Sequence, residues 1–310
     1  MSLLDVNDLN VGFQTRLGTV RAVNNVSFEI DKGEVFGLIG ESGSGKSVIG
    51  MSLLHLLPRN ARVRGRAIFE GSDLLALGEE KMQKFRGEKI AFIPQNPTAS
   101  LNPLMKNGLQ ASEIFEQKGY SRQEAWDRAL GVMQSLLIRE PEVSAKRYPH
   151  QLSGGMKQRL VAGISLSLEP ELVIADEPTK GLDSISRKRA IEFFQQLEGK
   201  ERRSMLLITH DLDLAYEICD RLAVLYAGEI VEMGPARKLM DSPEHPYTRG
   251  LIKSLPKNGL EPLEGSSPSL LGLPDGCFFR ERCNCQTIDC RKWHPQLSPN
   301  NGWMKRCVLP

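Results

Sequence analysis

Over residues 3–30 apolar and polar positions alternate, as in Leu9-Asn10-Val11-Gly12-Phe13 and from Val23 to Ile30. A period of two puts one face in a core and the other in water, so these segments predict antiparallel strands. Asp31-Lys32-Gly33-Glu34 is a turn, and the unbroken apolar run Val35-Phe36-Gly37-Leu38-Ile39 predicts a buried strand. Residues 48–57 are apolar enough for a packed helix. A second hairpin is expected over 63–75, around Ile68-Phe69-Glu70-Gly71, and a strand from Lys89 that ends at Gln95. Pro94 and Pro97 bracket Gln95 and predict a mobile loop there. From about Leu101 to Leu168 the pattern is mainly helical, and Ser121 with Glu124 reads as a capping box opening a helix through Leu137. Strands return at Leu172–Ala175, Ser204–Thr209 and Asp220–Val231, the last a pair with Gly228 in its turn. After Gly234-Pro235, proline recurs at 243, 246, 256, 262, 268 and 274, with Gly265-Ser266-Ser267 among them. This predicts a linker or a loosely structured extension. Neither an internal repeat nor a low-complexity tract interrupts the order.

Chemistry enters between the buried strand and the first helix. Gly40-Glu41-Ser42-Gly43-Ser44-Gly45-Lys46-Ser47 fits the phosphate-loop pattern, in the strand–loop–helix context that pattern requires. The glycines let the backbone wrap a polyphosphate with N–H groups inward, and the helix N-terminus adds its positive dipole end. Lys46 is expected to reach the β- and γ-phosphates, and Ser47 to ligate Mg²⁺. A glycine-rich turn that binds nothing is the plain alternative.

Ser153-Gly154-Gly155 leading into a helix is a second candidate anion site. Asp176-Glu177 stands at the C-terminal end of a short apolar strand, where adjacent carboxylates are costly unless they serve a cation or a water. An acidic turn after a strand is the alternative there. Asp183 follows in a loop, and His210 behind the strand Ser204–Thr209 is a candidate γ-phosphate sensor, although a lone His is most often structural. Phe13, taken alone, is a core aromatic, and a lone Gln95 at a strand end carries little.

Composition narrows the setting. The chain has 310 residues, 25% charged and 40% hydrophobic, enough for one large domain or two modest ones. A net charge of +2 gives no general basic surface for nucleic acid. No apolar run approaches the roughly eighteen residues of a membrane span, and no signal peptide is visible, so a cytoplasmic protein is expected. Five of the six cysteines fall between Cys277 and Cys307, a crowding that suggests metal before disulfides in such a compartment.

Taken together, Leu152-Ser153-Gly154-Gly155-Met156-Lys157-Gln158-Arg159, with Gln95, Asp176-Glu177, Asp183 and His210 in order, resembles the ATP-binding cassette (ABC) proteins over residues 3–235. Ala99-Ser100-Leu101-Asn102-Pro103, Tyr148-Pro149-His150-Gln151 and His245-Pro246-Tyr247-Thr248-Arg249 resemble the peptide/nickel importer subfamily of their ATPases. The resemblance implies an α/β phosphate-loop NTPase fold, with a RecA-like core, an antiparallel β subdomain and a helical subdomain. It implies an ABC ATPase domain at 1–235, with the helical part at about 98–168, and an oligopeptide/dipeptide-transporter-type C-terminal extension at 236–310. Phe13 is then expected to stack on adenine and residues 40–47 to hold the phosphates. Gln95 touches Mg²⁺ and senses the membrane subunit, Asp176 supports Mg²⁺, Glu177 is the base, and His210 contacts the γ-phosphate. Ser153, Gly154 and Gly155 are expected to cover the ATP of a partner ATPase, with Asp183 at that interface. Lys180-Gly181 departs from the small residues usual before the interface Asp and bears on coupling between two ATP sites.

The implied protein is the ATP-hydrolysing subunit of a binding-protein-dependent importer of dipeptides or oligopeptides. Nickel or metal-chelate import is the alternative within the subfamily, and a non-transport ABC ATPase of repair or translation the alternative outside it. The implied partners are a second ABC ATPase, in a heterodimer, two transmembrane permease subunits and an external solute-binding protein. The implied place is the cytoplasmic face of the cell membrane, and no nucleic acid is expected. Cys277, Cys283, Cys290 and Cys307 match the subfamily's four-cysteine pattern, which in some members holds a [4Fe–4S] cluster. Zn²⁺ and reduced unliganded thiols stay open beside it, and Cys285 is an extra.

Overall fold

The computed structural model describes residues 2–181, 187–188, 191–192, 203–300 and 303–308. The chain divides into two compact units, Met1–Met82 with Lys200–Pro310, and Gln83–Gly199.

The first unit contains an antiparallel sheet in the order Gly18–Asp31, Ser2–Thr15, Ala61–Phe69, Ser72–Asp73. The expected alternation is real but breaks phase more than once, since Leu3 and Leu4 are buried side by side and the register shifts again farther along the strand. Leu4 and Val6 are buried, then Leu9 and Val11, and the register jumps between Val6 and Leu9, where Asp8 has a φ of 49°. One extra residue in a bulge keeps both apolar pairs on the core face.

In the same unit Val35–Ile39 runs parallel to Ser204–Thr209 on one side and Arg221–Tyr226 on the other. Every residue of Val35–Ile39 and of Ser204–Thr209 is buried, as suits parallel strands covered on both faces. Glu229–Pro235 pairs antiparallel with Arg221–Tyr226 through a turn that contains Gly228.

Beyond Pro235 the structure departs from the expectation of a loose extension. Helices form at Ala236–Asp241 and Pro246–Lys253, and Trp303–Lys305 adds a strand to Glu229–Pro235. Pro246 stands at the start of its helix, where a missing N–H costs nothing, so this proline opens an element rather than breaking one. The buried Glu232 carboxylate accepts the backbone N–H groups of Glu244 (2.8 Å) and His245 (3.1 Å). The Arg306 guanidinium donates to the carbonyls of Ile230 (2.9 Å) and Pro295 (3.0 Å). These bonds satisfy polar groups that would otherwise be stranded inside.

In the second unit Ile90–Ile93 lies parallel to Leu172–Asp176. Helices Asn107–Glu116, Arg122–Ser135, Pro141–Lys146 and Gly154–Leu166 belong to the same unit. Their shared core includes Leu101, Ala111, Met133, Leu136 and Leu160. The capping box of Ser121 and Glu124 is present, but the helix it opens ends at Ser135, and Leu137 has a φ of 54°.

Candidate functional site

In the first unit the loop after Val35–Ile39 is shaped by glycine. Gly40 (φ 149°) and Gly45 (φ 106°) adopt left-handed backbone, and a Cβ would meet the carbonyl oxygen of Leu225 at 2.2 Å in one case and of Ala22 at 2.3 Å in the other. Only glycine fits these two positions, because both conformation and space exclude a side chain. Between them Glu41 is half-buried, Ser42 and Gly43 are exposed and Ser44 is buried, and Ser47, beyond Gly45, is half-buried. Gly45 caps the helix Lys46–Leu53, so the loop feeds directly into a helix N-terminus. That helix ends earlier than the apolar run to Leu57 predicts. Lys46 is buried, and its Nζ donates to the carbonyls of Gly40 and Glu41, both at 2.8 Å. An ammonium held inside a ring of backbone is the charge a polyphosphate needs there.

Phe13 is half-buried and sits opposite Val20 and Ala61 in its sheet. His210 is exposed directly after Ser204–Thr209. The next residue, Asp211, caps the helix Leu212–Ile218 by accepting the Leu214 N–H (3.1 Å).

The second unit carries the carboxylates. Asp176 ends the strand Leu172–Asp176 and Glu177 follows it, at 5% and 6% exposure. Glu177 has a φ of 49°, and its carbonyl accepts the Lys180 N–H (3.1 Å), so the chain turns sharply at the carboxylate pair. Gln95 is half-buried just past Ile90–Ile93, and Asn96 caps the short helix Pro97–Ser100. Ser153 caps the helix Gly154–Leu166 with its hydroxyl toward the Met156 N–H (3.3 Å), and Ser153 and Gly154 are exposed. Gly155 is half-buried, and its carbonyl accepts from Arg159 (3.3 Å). Asp183 lies outside the described residues.

For the tail cysteines a cluster, Zn²⁺ and unliganded thiols are the open readings. All six cysteines are free thiols. Cys277 donates its backbone N–H to the Cys290 carbonyl (2.8 Å), and burial pushes its thiol up to about 11. Burial also raises the Cys283 thiol. Among the described residues no three His, Cys, Asp or Glu side chains converge to hold a metal ion. Cys283, Cys290 and Cys307 lie near enough to Cys277 to add to the rise of its thiol, yet no metal-binding group forms among the described residues.

Sequence reasoning missed three residues around the phosphate loop, all beyond residue 240. The Tyr247 hydroxyl accepts the Glu41 N–H (2.9 Å), the Ser267 hydroxyl donates to Glu41 Oε2 (2.8 Å), and Arg282 donates to both Glu41 oxygens (2.8 and 2.9 Å). The His-Pro-Tyr-Thr-Arg motif was visible in sequence, but nothing local says where its tyrosine points.

Residues 23–180 match the family model described as ABC transporter, and residues 231–290 match that for the oligopeptide/dipeptide transporter C-terminal region. The chain is 41% identical over 301 residues to the dipeptide transport ATP-binding protein DppD of Bacillus subtilis, covering 94% of this chain and 90% of that one. It is 38% identical over 313 residues to the oligopeptide transport ATP-binding protein OppD of Haemophilus influenzae, covering 99% and 97%. Among solved structures, the ATP-binding cassette MJ0796 in a dimeric post-hydrolysis state with ADP and Pi is similar, with a TM-score of 0.67 and 26% identity. It covers 76% of this chain and 99% of that one.

Proposed function

The chain belongs to the ABC transporter family, and on that premise we propose that it is the ATP-hydrolysing subunit of an importer for dipeptides or oligopeptides. The observation that supports this best is one chain carrying both a built phosphate loop and a C-terminal segment of the oligopeptide/dipeptide transporter type. ATP is hydrolysed to ADP and phosphate. Residues 40–45 cradle the phosphates with backbone N–H groups, and Lys46 offsets charge at the β- and γ-phosphates. Phe13 stacks on the adenine, Glu177 takes the proton of the attacking water, and His210 contacts the γ-phosphate.

Ser47 carries a hydroxyl, Gln95 an amide and Asp176 a carboxylate oxygen, each a hard donor of the kind Mg²⁺ prefers, and each is proposed as a Mg²⁺ ligand. Bound there, Mg²⁺ neutralises charge on the transferred phosphoryl group. Ser153, Gly154 and Gly155, with Asp183, face the ATP of a second ABC ATPase, which we take to be a different chain. Lys180-Gly181, which precede Leu182-Asp183, would tune the coupling of the two ATP sites. We place the functional boundary between the ATPase domain and the extension at residues 235 and 236.

No helix among the described residues is long and apolar enough to cross a membrane. Location at the cytoplasmic face of the membrane therefore rests on two transmembrane permease subunits, and delivery of substrate on an external solute-binding protein. A groove of about 690 Å³ in the helical unit, lined by Met105, Leu109, Glu113, Arg122 and Trp126 among others, is the surface we assign to a permease. It offers apolar walls with charged edges, as a docked segment requires. The proposed ATPase chemistry needs no metal at the tail cysteines. Iron and zinc analysis of anaerobically purified protein decides whether one binds there, with stoichiometric metal showing that it does.

The assembly is tested by pulling the tagged chain from gently solubilised native membranes and identifying its companions by mass spectrometry. Two multi-span proteins, a second cassette ATPase and a solute-binding protein are expected. Recovery with ribosomes or repair factors and no membrane protein would overturn the transport reading.

A further inference from the structure

Glu41 poses an electrostatic problem. It places a carboxylate inside a loop that must receive a polyphosphate, where an uncompensated negative charge repels the ligand. The structure answers this from the far end of the chain. Arg282 meets Glu41 with a two-pronged guanidinium–carboxylate pair, its side chain only 5% exposed. These bonds hold the Glu41 carboxyl below the usual range, helped by the Ser267 hydroxyl, and hold Arg282 firmly protonated.

Arg282 is itself held in place. Its guanidinium lies 5.7 Å from the Tyr226 ring centre and 5.9 Å from that of Phe279, and Nε donates to the Glu264 carbonyl (2.9 Å). Tyr226, Tyr247 and Phe279 pack on one another, with ring centres 4.6 to 5.4 Å apart. Tyr247 is fully buried and turns its hydroxyl to the Glu41 N–H. Burial keeps its neighbour His245 neutral, with a pKa near 3, and the His245 ring accepts the Tyr247 N–H (3.1 Å). The extension thus packs Tyr247 and Phe279 around Tyr226, and the Tyr247 hydroxyl, the Ser267 hydroxyl and the Arg282 guanidinium all reach Glu41 of the phosphate loop.

We propose that Arg282 is a positioning residue for the phosphate loop: the extension delivers it to neutralise Glu41 and fix that side chain, and ATP affinity depends on this clamp. The proposal rests on the nucleotide-site reading above. Loss of Arg282 leaves a carboxylate without its cation beside the phosphates. Loss of Glu41 removes that repulsion altogether. The two substitutions therefore act on ATP with opposite sign, which a purely structural salt bridge does not do.

The test is titration of the purified full-length chain with a fluorescent ATP analogue and Mg²⁺, alongside its thermal midpoint without nucleotide. Arg282→Gln is expected to weaken binding about tenfold at low salt, and the defect shrinks in 0.5 M salt through screening. Arg282→Lys recovers most of the affinity. Glu41→Gln tightens binding about threefold, and the double variant returns to within about threefold of wild type. A folded Arg282→Gln within twofold of wild type overturns the proposal, as does a double variant weaker than Arg282→Gln. If Arg282→Gln does not fold, Glu41→Gln alone decides, because weaker binding there contradicts the charge argument. Failure of the wild type to bind overturns the nucleotide-site reading itself, and the proposal with it.

Discussion

Glu177 is buried, follows a strand end and takes a left-handed backbone conformation that an ordinary side chain disfavours by about 1–2 kcal/mol. Such strain persists where its surroundings enforce it. Glu177→Gln keeps the size of the side chain and removes its basicity. Phosphate release is expected to fall at least about 100-fold while nucleotide still binds. A rate within threefold of wild type would remove Glu177 as the base. Gly45→Ala tests the loop by a different route. The added methyl lands 2.3 Å from the Ala22 carbonyl oxygen, so nucleotide binding is expected to fall below detection and the thermal midpoint to drop. At this scale the sequence was highly legible where chemistry is local. Lys46 and the glycines announce themselves within eight positions. Arg282 does not, because its partner is 241 residues away and an isolated arginine carries no pattern.

Among the elements, the extension was the least legible part. Its prolines and polar residues read as linker, since composition reports local stiffness and not tertiary anchoring. In the structure the Leu270 carbonyl accepts the Arg21 N–H (2.8 Å), which fastens that segment to the antiparallel sheet. The tail is fastened by His294, which lies between two acceptors: the Gly276 carbonyl at Nδ1 (2.7 Å) and Glu229 Oε1 at Nε2 (2.9 Å). An imidazole fills both as a donor only when it is protonated. Its pKa is accordingly raised, chiefly by the Glu229 hydrogen bond, with burial and nearby Arg306 opposing. A raised folded-state value means the stabilisation is full below about 6.5 and fades as pH climbs through the folded value. His294→Ala should therefore lower the thermal midpoint more at pH 6 than at pH 9. Equal losses at the two pH values would show that the protonated form is not favoured by folding.

For the whole molecule, the central question is how an ATPase with a net charge of +2 and no membrane-crossing helix among its described residues drives transport. Force has to leave through a surface that a membrane partner grips. The helical-unit groove suits that role because its floor and rim differ in chemistry. Leu109 is 44% exposed beside Trp126, and Glu113, Glu116 and Arg122 supply charge around them. An exposed leucine alone means little, but one in a groove of this size beside an aromatic provides the desolvated anchor an interface needs. Leu109→Asp puts a charge at that anchor, where burial against a partner leaves it unpaired and costs about 2–5 kcal/mol of docking. In proteoliposomes with the permeases and the binding protein, peptide uptake is expected to fall at least tenfold. ATP turnover by the isolated chain is expected to fall far less, because Leu109 belongs to none of the phosphate-loop or carboxylate segments. Parallel loss of uptake and isolated turnover would instead place the damage in the ATPase fold. Full uptake would move the permease contact elsewhere on the chain.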